Sequence, residues 1–451
     1  MTRVLALAVL LLLAGGAVAA HAQSVTITGA DPEAYALDLR YDGRGAGVLA
    51  GSERIEFVNR SPAPLERVWL RLWANGPDRC RPQRIEVEVD APAVAGSERV
   101  RCSALEVRLA APVAAGARSV ISLRFRVQGR RRADRFGRIG GTALLGNVIP
   151  VLAVEDAGGL HLDPYTALGE SFYSLSARWD ATLRLPARLR AATTGTLLTE
   201  SVSGRERTLS VRSAQARDFA LAVGRLRRRT TEVAGVKIRV HFGPRVGGAR
   251  SSLRAARRAV RALSRRLGPL PFGELDVVLF REDLGAGLLA GMEYPELVFS
   301  LPLGEVVTHE VAHQSWYGLV GNNQSEEPWL DESFAQYSHE RLHPSTNFCH
   351  PGRPYRLVAR RWRRIALDSS MGLFERRAPA AVGEVIYLAG SCALQTLERG
   401  IGRSRMTAVL RLLQSRNRYG VVTKADVLGA IREVAPVFDL ERWLAVSHLS
   451  A

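Results

Sequence analysis

A chain of 451 residues that is 47% apolar, with a mean hydropathy near zero, can bury a large core in two or three domains. That composition excludes a disordered chain and a polytopic membrane protein. The formal charge of +18 is almost all arginine, since Lys237 and Lys424 are the only lysines. No nucleic-acid recognition motif accompanies it, so it reads as a solvated basic surface that leaves room for weak electrostatic association with an anionic envelope surface.

The first 22 residues, "MTRVLALAVLLLLAGGAVAAHA", join one arginine to an apolar run and small residues ending in Ala20-His21-Ala22. This pattern predicts a signal peptide cut after Ala22 and an exported protein, periplasmic or secreted. The alternative is an uncleaved N-terminal anchor. No cysteine follows the run, which argues against a lipoprotein, and no later segment reads as long and apolar enough to cross a bilayer. Export makes disulfides possible, and Cys80 and Cys102 lie in one strand-rich region where a bridge is expected. Cys349 and Cys392 either pair or leave Cys392 as a core residue.

Residues 23–228 read as β-structure. "RIEFVNR", "VWLRLW", "VISLRFRVQ" and "WDATLRLP" alternate apolar and polar residues between Gly, Pro or Asn turns, which predicts an antiparallel sandwich or saddle-shaped sheet. "GRRRADRFGRIGG" (Gly129 to Gly141) reads as a basic surface loop. Residues 229–451 follow a different pattern, an α+β unit. "VKIRVHF" and "LDVVLF" are strands. Between them "SSLRAARRAVRALSRRLG" sets Leu253, Ala256, Val260, Leu263 and Leu267 on one helical stripe and arginines on the other. From Val306 the chain reads as mostly helical.

"VVTHEVAHQSWYGLVGNNQSEEPWLDESFAQYSHE" (Val306 to Glu340) carries the chemistry. Residues four apart on a helix project from nearly one face, so His309 and His313 can offer two imidazoles to one ion. Zinc in catalytic sites takes a third protein ligand and leaves a position for water. Glu332, with eighteen residues between it and His313, suits a helix end, a loop and a return helix that brings its carboxylate to the same ion. Glu310 sits beside His309 a quarter-turn away, so it flanks the metal and serves as general base, the metalloprotease use of HExxH. His161, His241, His339, His343, His350 and His448 show no such pattern and read as surface or structural residues, with His339 beyond the turn of Glu332.

This motif, with its eighteen-residue gap to the Glu of "WLDE", resembles the gluzincin peptidases of family M1, the membrane alanyl aminopeptidases and their leukotriene-hydrolase relatives. "LLAGMEYPELVFS" (Leu288 to Ser300) is similar to that family's G-x-M-E-N element. "VIYLAGSCALQTLERGIG" (Val385 to Gly402) is similar to its Tyr-x-Lys-Gly helix start. The specific motifs run from about Leu270 to Gly402. The resemblance implies a β-domain docked on a thermolysin-like zincin domain, and one zinc ion per chain on His309, His313 and Glu332. It implies Glu310 as base, Tyr387 as donor to the oxyanion, Glu293 as the holder of a free α-ammonium, and Gly291 and Met292 beside it in the substrate-binding strand. The implied activity is hydrolysis of the first peptide bond of peptides with a free amino terminus.

Departures bear on detail. Tyr294 stands where the family has Asn, "YLAG" lacks its Lys, Ser315 replaces an aromatic, and no Gln-rich substrate loop is visible near residues 150 to 180. The sequence ends at Ala451, before the large helical domain of the long members, so a short form with a more open cleft is expected. The alternatives are a zinc endopeptidase using that open cleft and a catalytically silent envelope protein that binds peptides.

Overall fold

Alternation of apolar and polar side chains puts Tyr35, Leu37, Leu39 and Tyr41 on one face of the strand Glu33–Tyr41, and all four are buried. The computed structural model describes residues 32–131, 134–281, 290–344, 349 and 360–450, so the expected leader lies outside the described residues. The strand sits at the centre of a seven-stranded sheet ordered Thr196–Ser203, Glu206–Ala216, Ala177–Pro186, Glu33–Tyr41, Val48–Val58, Arg118–Gln128 and Ile85–Val89. Neighbours are antiparallel except Glu33–Tyr41 with Ala177–Pro186, which run parallel. A parallel neighbour needs a long crossover, and here the intervening chain builds all of a second, four-stranded sheet. Its strands are Val151–Leu152, Leu65–Arg71, Ala104–Val113 and Val94–Arg99. Leu70, Leu105 and Val107 from that sheet share one apolar core with Leu37, Ile55 and Leu123 from the first, and a disulfide joins Cys80 to Cys102.

The run Gly129–Gly141 corrects an expectation. It is not simply a surface loop, because Phe136–Ile139 forms an edge strand of a further four-stranded sheet and Phe136, Ile139 and Arg135 are buried. Phe136 and Ile139 are buried in the apolar core, and Arg135 is held inward by Asp134, the Tyr165 hydroxyl and Glu170.

From Arg227 the strands pair differently. Arg227–Val233, Val236–Phe242, Glu274–Leu279, Leu297–Ser300 and Gly291–Met292 make a five-stranded sheet. Helix α1 (Ala249–Leu267) lays Ala255, Ala256, Ala259, Val260 and Leu263 on it, leaving Leu253 and Leu267 half-buried and turning its arginines outward except Arg266, which donates to the Tyr337 hydroxyl at 2.6 Å. Helices α2 (Gly304–Ala312) and α3 (Trp329–Leu342) follow, and α3 is buried on almost every side. The remaining helices gather on a second core around Trp329, Phe334, Leu397 and Trp443. Within it, Pro379–Ile401 is long and apolar enough to cross a membrane by length and composition, which the sequence reading had not found. Two-thirds of that window (67%) is buried in the fold, and Trp443 Nε1 donates to Ala393 O at 2.9 Å, so here it packs as a core segment.

One arginine ties the β-domain to the helical part. Arg217 is 2% exposed and donates to three carbonyls: Tyr317 O at 2.8 Å, Ser174 O at 3.1 Å, and Gly420 O. Gly321 makes room for it, since a Cβ there would lie 2.1 Å from the guanidinium carbon. Tyr317, whose hydroxyl donates to Asp218, is held at φ 122°, a strained conformation that persists only where surrounding bonds impose it. Arg217→Leu takes a donor from three buried carbonyls, of which Gly420 O still accepts from Gly321 N at 3.1 Å. It is expected to destabilise the protein by on the order of 3 kcal/mol, read by calorimetry as a lowered Tm.

Candidate active site

Helix α2 presents His309 and His313 one turn apart, and the first turn of α3 brings Glu332 to meet them. His309 Nε2 and His313 Nε2 are 3.1 Å apart, and Glu332 Oε2 lies 3.1 Å from the first and 3.3 Å from the second. A tetrahedral zinc with arms of about 2.0–2.1 Å needs ligand atoms roughly 3.3 Å apart, so this triangle of two imidazoles and a carboxylate fits zinc. His313 donates Nδ1–H to Trp316 O at 3.0 Å, which leaves its Nε2 lone pair facing the triangle. Burial opposes the charge of Glu332, yet His313 and His309 outweigh it and hold the carboxyl well below its usual range. Burial also opposes protonation of His313, but Glu332 pushes it up, whereas burial holds His309 down. Positive charge is favoured at this point.

Glu310 is 5% exposed and lies against Gly291. A Cβ at 291 would sit 2.0 Å from Glu310 Oε1 and 2.3 Å from its Cδ, so only glycine lets that carboxylate occupy its place. Gly291→Ala is expected to displace it and lower kcat/KM by about 10²-fold with metal content unchanged, as steady-state kinetics and elemental analysis would show.

Period-two alternation sets the neighbours of Gly291. Gly291 and Glu293 line the cavity, and Met292 points the other way, fully buried in the apolar core opposite Phe299. The expectation that Met292 touches substrate is therefore corrected. Glu293 is 2% exposed and accepts from Gln324 Nε2 at 3.0 Å, while the same nitrogen donates to Asp331 Oδ2 at 2.7 Å. Gln314, the residue after His313, clamps the turn beyond Glu293. Its Nε2 donates to Tyr294 O at 3.1 Å and its Oε1 accepts from Glu296 N at 2.8 Å. Tyr294 points away from the cavity, donating its hydroxyl to Asn147 Oδ1 at 2.7 Å.

Two residues that the sequence reading passed over complete this wall. Glu170 arrives on an irregular segment of the β-domain, and one oxygen from each of Glu170, Glu293 and Glu332 lies within 4.8 Å of the others. Arg135 holds Glu170 in place, donating Nη2 to its Oε1 at 3.0 Å and Nη1 to Asp134 Oδ1 at 2.7 Å. Burial raises Glu170 to about 8 against the pull of Arg135. Burial, then Glu170, raises Glu293 well above the carboxylate range. Two carboxyl groups crowded into a dry wall hold on to a proton until a cation between them offsets their charge.

Tyr387 sits on a π-helical turn, Gly383–Ala389, that runs into the helix Gly390–Ile401. Such wide turns recur at functional sites because they re-aim one side chain. Its ring lies nearly parallel to that of His309, centroids 5.9 Å apart. Burial, then Glu332, raises its hydroxyl well above the usual range, so it stays a donor. His339 also lines the cavity, contrary to expectation. Seven residues past Glu332 is two helical turns, which returns it to the same face. Burial lowers it to about 3, so it is neutral. The whole cavity has a volume of about 400 Å³ and is walled by α2, α3, the Gly291 strand, the π turn and the segment Ala167–Glu170 of the β-domain.

No family model matches the chain. A stretch of 84 residues, 17% of the chain, is 36% identical to aminopeptidase B of Rattus norvegicus and spans 12% of that protein's length. The M1 zinc metallopeptidase of Deinococcus radiodurans superposes with a TM-score of 0.68 over 93% of this chain and 95% of that one, at 20% identity. A mutant of that enzyme bound to a Tyr-Ser-Ala substrate superposes with a TM-score of 0.67 over 93% and 95%, at 19% identity. From its β-domain to the helices behind the donor triangle, the chain has the fold of the M1 zinc metallopeptidases.

Proposed function

We propose that the protein is an exported zinc aminopeptidase that hydrolyses the first peptide bond of peptides with a free amino terminus. Export is supported by the leader-like first 22 residues and by the Cys80–Cys102 disulfide, a bond of oxidising compartments. One zinc ion held by His309, His313 and Glu332 would supply Lewis acidity, polarising a carbonyl and easing deprotonation of water. Glu310 takes the proton from the attacking water and returns it to the departing amine nitrogen. Tyr387 donates its hydroxyl to the carbonyl oxygen as negative charge develops there. Glu293, held by Gln324, and Glu170, held by Arg135, bind the α-ammonium by charge-assisted hydrogen bonds.

The observation that carries this reading is the carboxylate pair beside the donor triangle, with Glu170, Glu293 and Glu332 oxygens within 4.8 Å of one another. An amino end gripped there leaves the first carbonyl at the triangle and no room for residues before it. Aminoacyl-arylamides and their N-acetylated forms test it. The free amines are expected to be cleaved and the acetylated ones spared. Equal cleavage of both, or cuts within an unstructured peptide, would favour an endopeptidase instead.

A further inference from the structure

Most carboxylates of the cavity wall already have a partner or a task. Arg135, the one arginine in that wall among the described residues, holds Glu170 and Asp134. Gln324 donates to Glu293, Glu332 meets His309 and His313, and Glu310 packs on Gly291. Glu305 stands apart. It lines the same cavity at an exposed position, and among the described residues it forms no hydrogen bond or ion pair. Its charge is felt by the half-buried His343, with which it forms no ion pair.

Helix α2 acts as a ruler along the cavity. Glu305, His309 and His313 stand four residues apart on nearly one face, each step a rise of about 6 Å. The amine end lies at the His313 end of this stripe. Glu293, His313 and Asp331 each place a ligand atom within 4.8 Å of the others, a group that His309 does not join. His309 faces the other end, its ring centroid 6.1 Å from that of His339. A peptide with its amine at Glu293 and Glu170 and its first carbonyl at the triangle therefore sends its second residue past His309 toward Glu305. One residue of extended chain spans about 3.3–3.6 Å, so a long side chain on that residue reaches the carboxylate. The wall on the way holds Val306, Gln336 and His339, none of them charged, which suits an apolar stem with a charged tip. We propose that Glu305 is the specificity-determining carboxylate for the leaving group, selecting peptides whose second residue is lysine or arginine. This rests on the aminopeptidase reading, which sets the direction in which the peptide lies. The protein carries a formal +18, yet at this point it offers the substrate a negative charge that repels an acidic second residue.

The test uses the peptides Ala-Arg-Ala-Ala and Ala-Glu-Ala-Ala, each with a free and an acetylated amino end, on the full-length wild type, Glu305→Gln and Glu305→Lys. kcat/KM is measured for each pair, and Kd by calorimetry with the same proteins carrying Glu310→Gln. The wild type is expected to favour the Arg peptide about 10-fold, one attraction and one repulsion at an exposed carboxylate taken together, and by less as salt is raised. Glu305→Gln should bring the two peptides within about twofold of each other, and Glu305→Lys should invert their order. An Arg-to-Glu ratio that is the same in all three proteins overturns the proposal, as does a wild type that prefers the Glu peptide. Free and acetylated peptides handled alike overturn the aminopeptidase reading instead, and the response of the ratio to Glu305→Lys still decides the role of Glu305.

Discussion

Glu310→Gln is expected to lower kcat by about 10³-fold while zinc content and Tm stay close to wild type. The carboxylate stands outside the triangle of His309, His313 and Glu332, so its loss removes no metal ligand. It packs against the bare Cα of Gly291, and an amide of the same shape fits there. What the amide lacks is the capacity to accept a proton from water and return it to nitrogen. Turnover of an aminoacyl-arylamide, with metal analysis on the same sample, checks this. Full activity in that variant would mean that another group moves the proton.

Glu293→Ala is expected to lower kcat/KM for free-amine substrates by on the order of 10²-fold, the consequence of leaving a buried charge unpaired. Its effect on N-acetylated substrates should be small, so the preference for a free amine collapses. Glu170→Gln should act in the same direction, because Glu170 shares the wall with Glu293. The measurement is the ratio of kcat/KM for a matched pair of free and acetylated substrates in each variant. A ratio unchanged from wild type would show that the carboxylate pair does not read the amine.

The donor triangle was legible in the sequence because a four-residue spacing on a helix fixes the relation of His309 and His313 without tertiary information. Glu332 needed only a connection long enough to turn the chain back onto the same face. Strand alternation in runs such as "VISLRFRVQ" and the apolar stripe of α1 were legible for the same reason, since a period encodes a face. Applied further, those periods would have turned Met292 away from the cavity and returned His339 to it. Glu170, Arg135 and Gln324 carry no such mark. Each is a single polar residue in an irregular segment, and what brings them together is the packing of the β-domain on the helical part through contacts such as those of Arg217. The parallel pairing of Glu33–Tyr41 with Ala177–Pro186 was likewise invisible, because strand pairing across a long crossover depends on the whole sandwich.

Zinc-edge anomalous diffraction from crystals of the purified protein tests the central claim most directly. The account expects one strong peak about 2 Å from His309 Nε2, His313 Nε2 and a Glu332 carboxylate oxygen. A peak elsewhere, or none after equilibration with zinc, would contradict it.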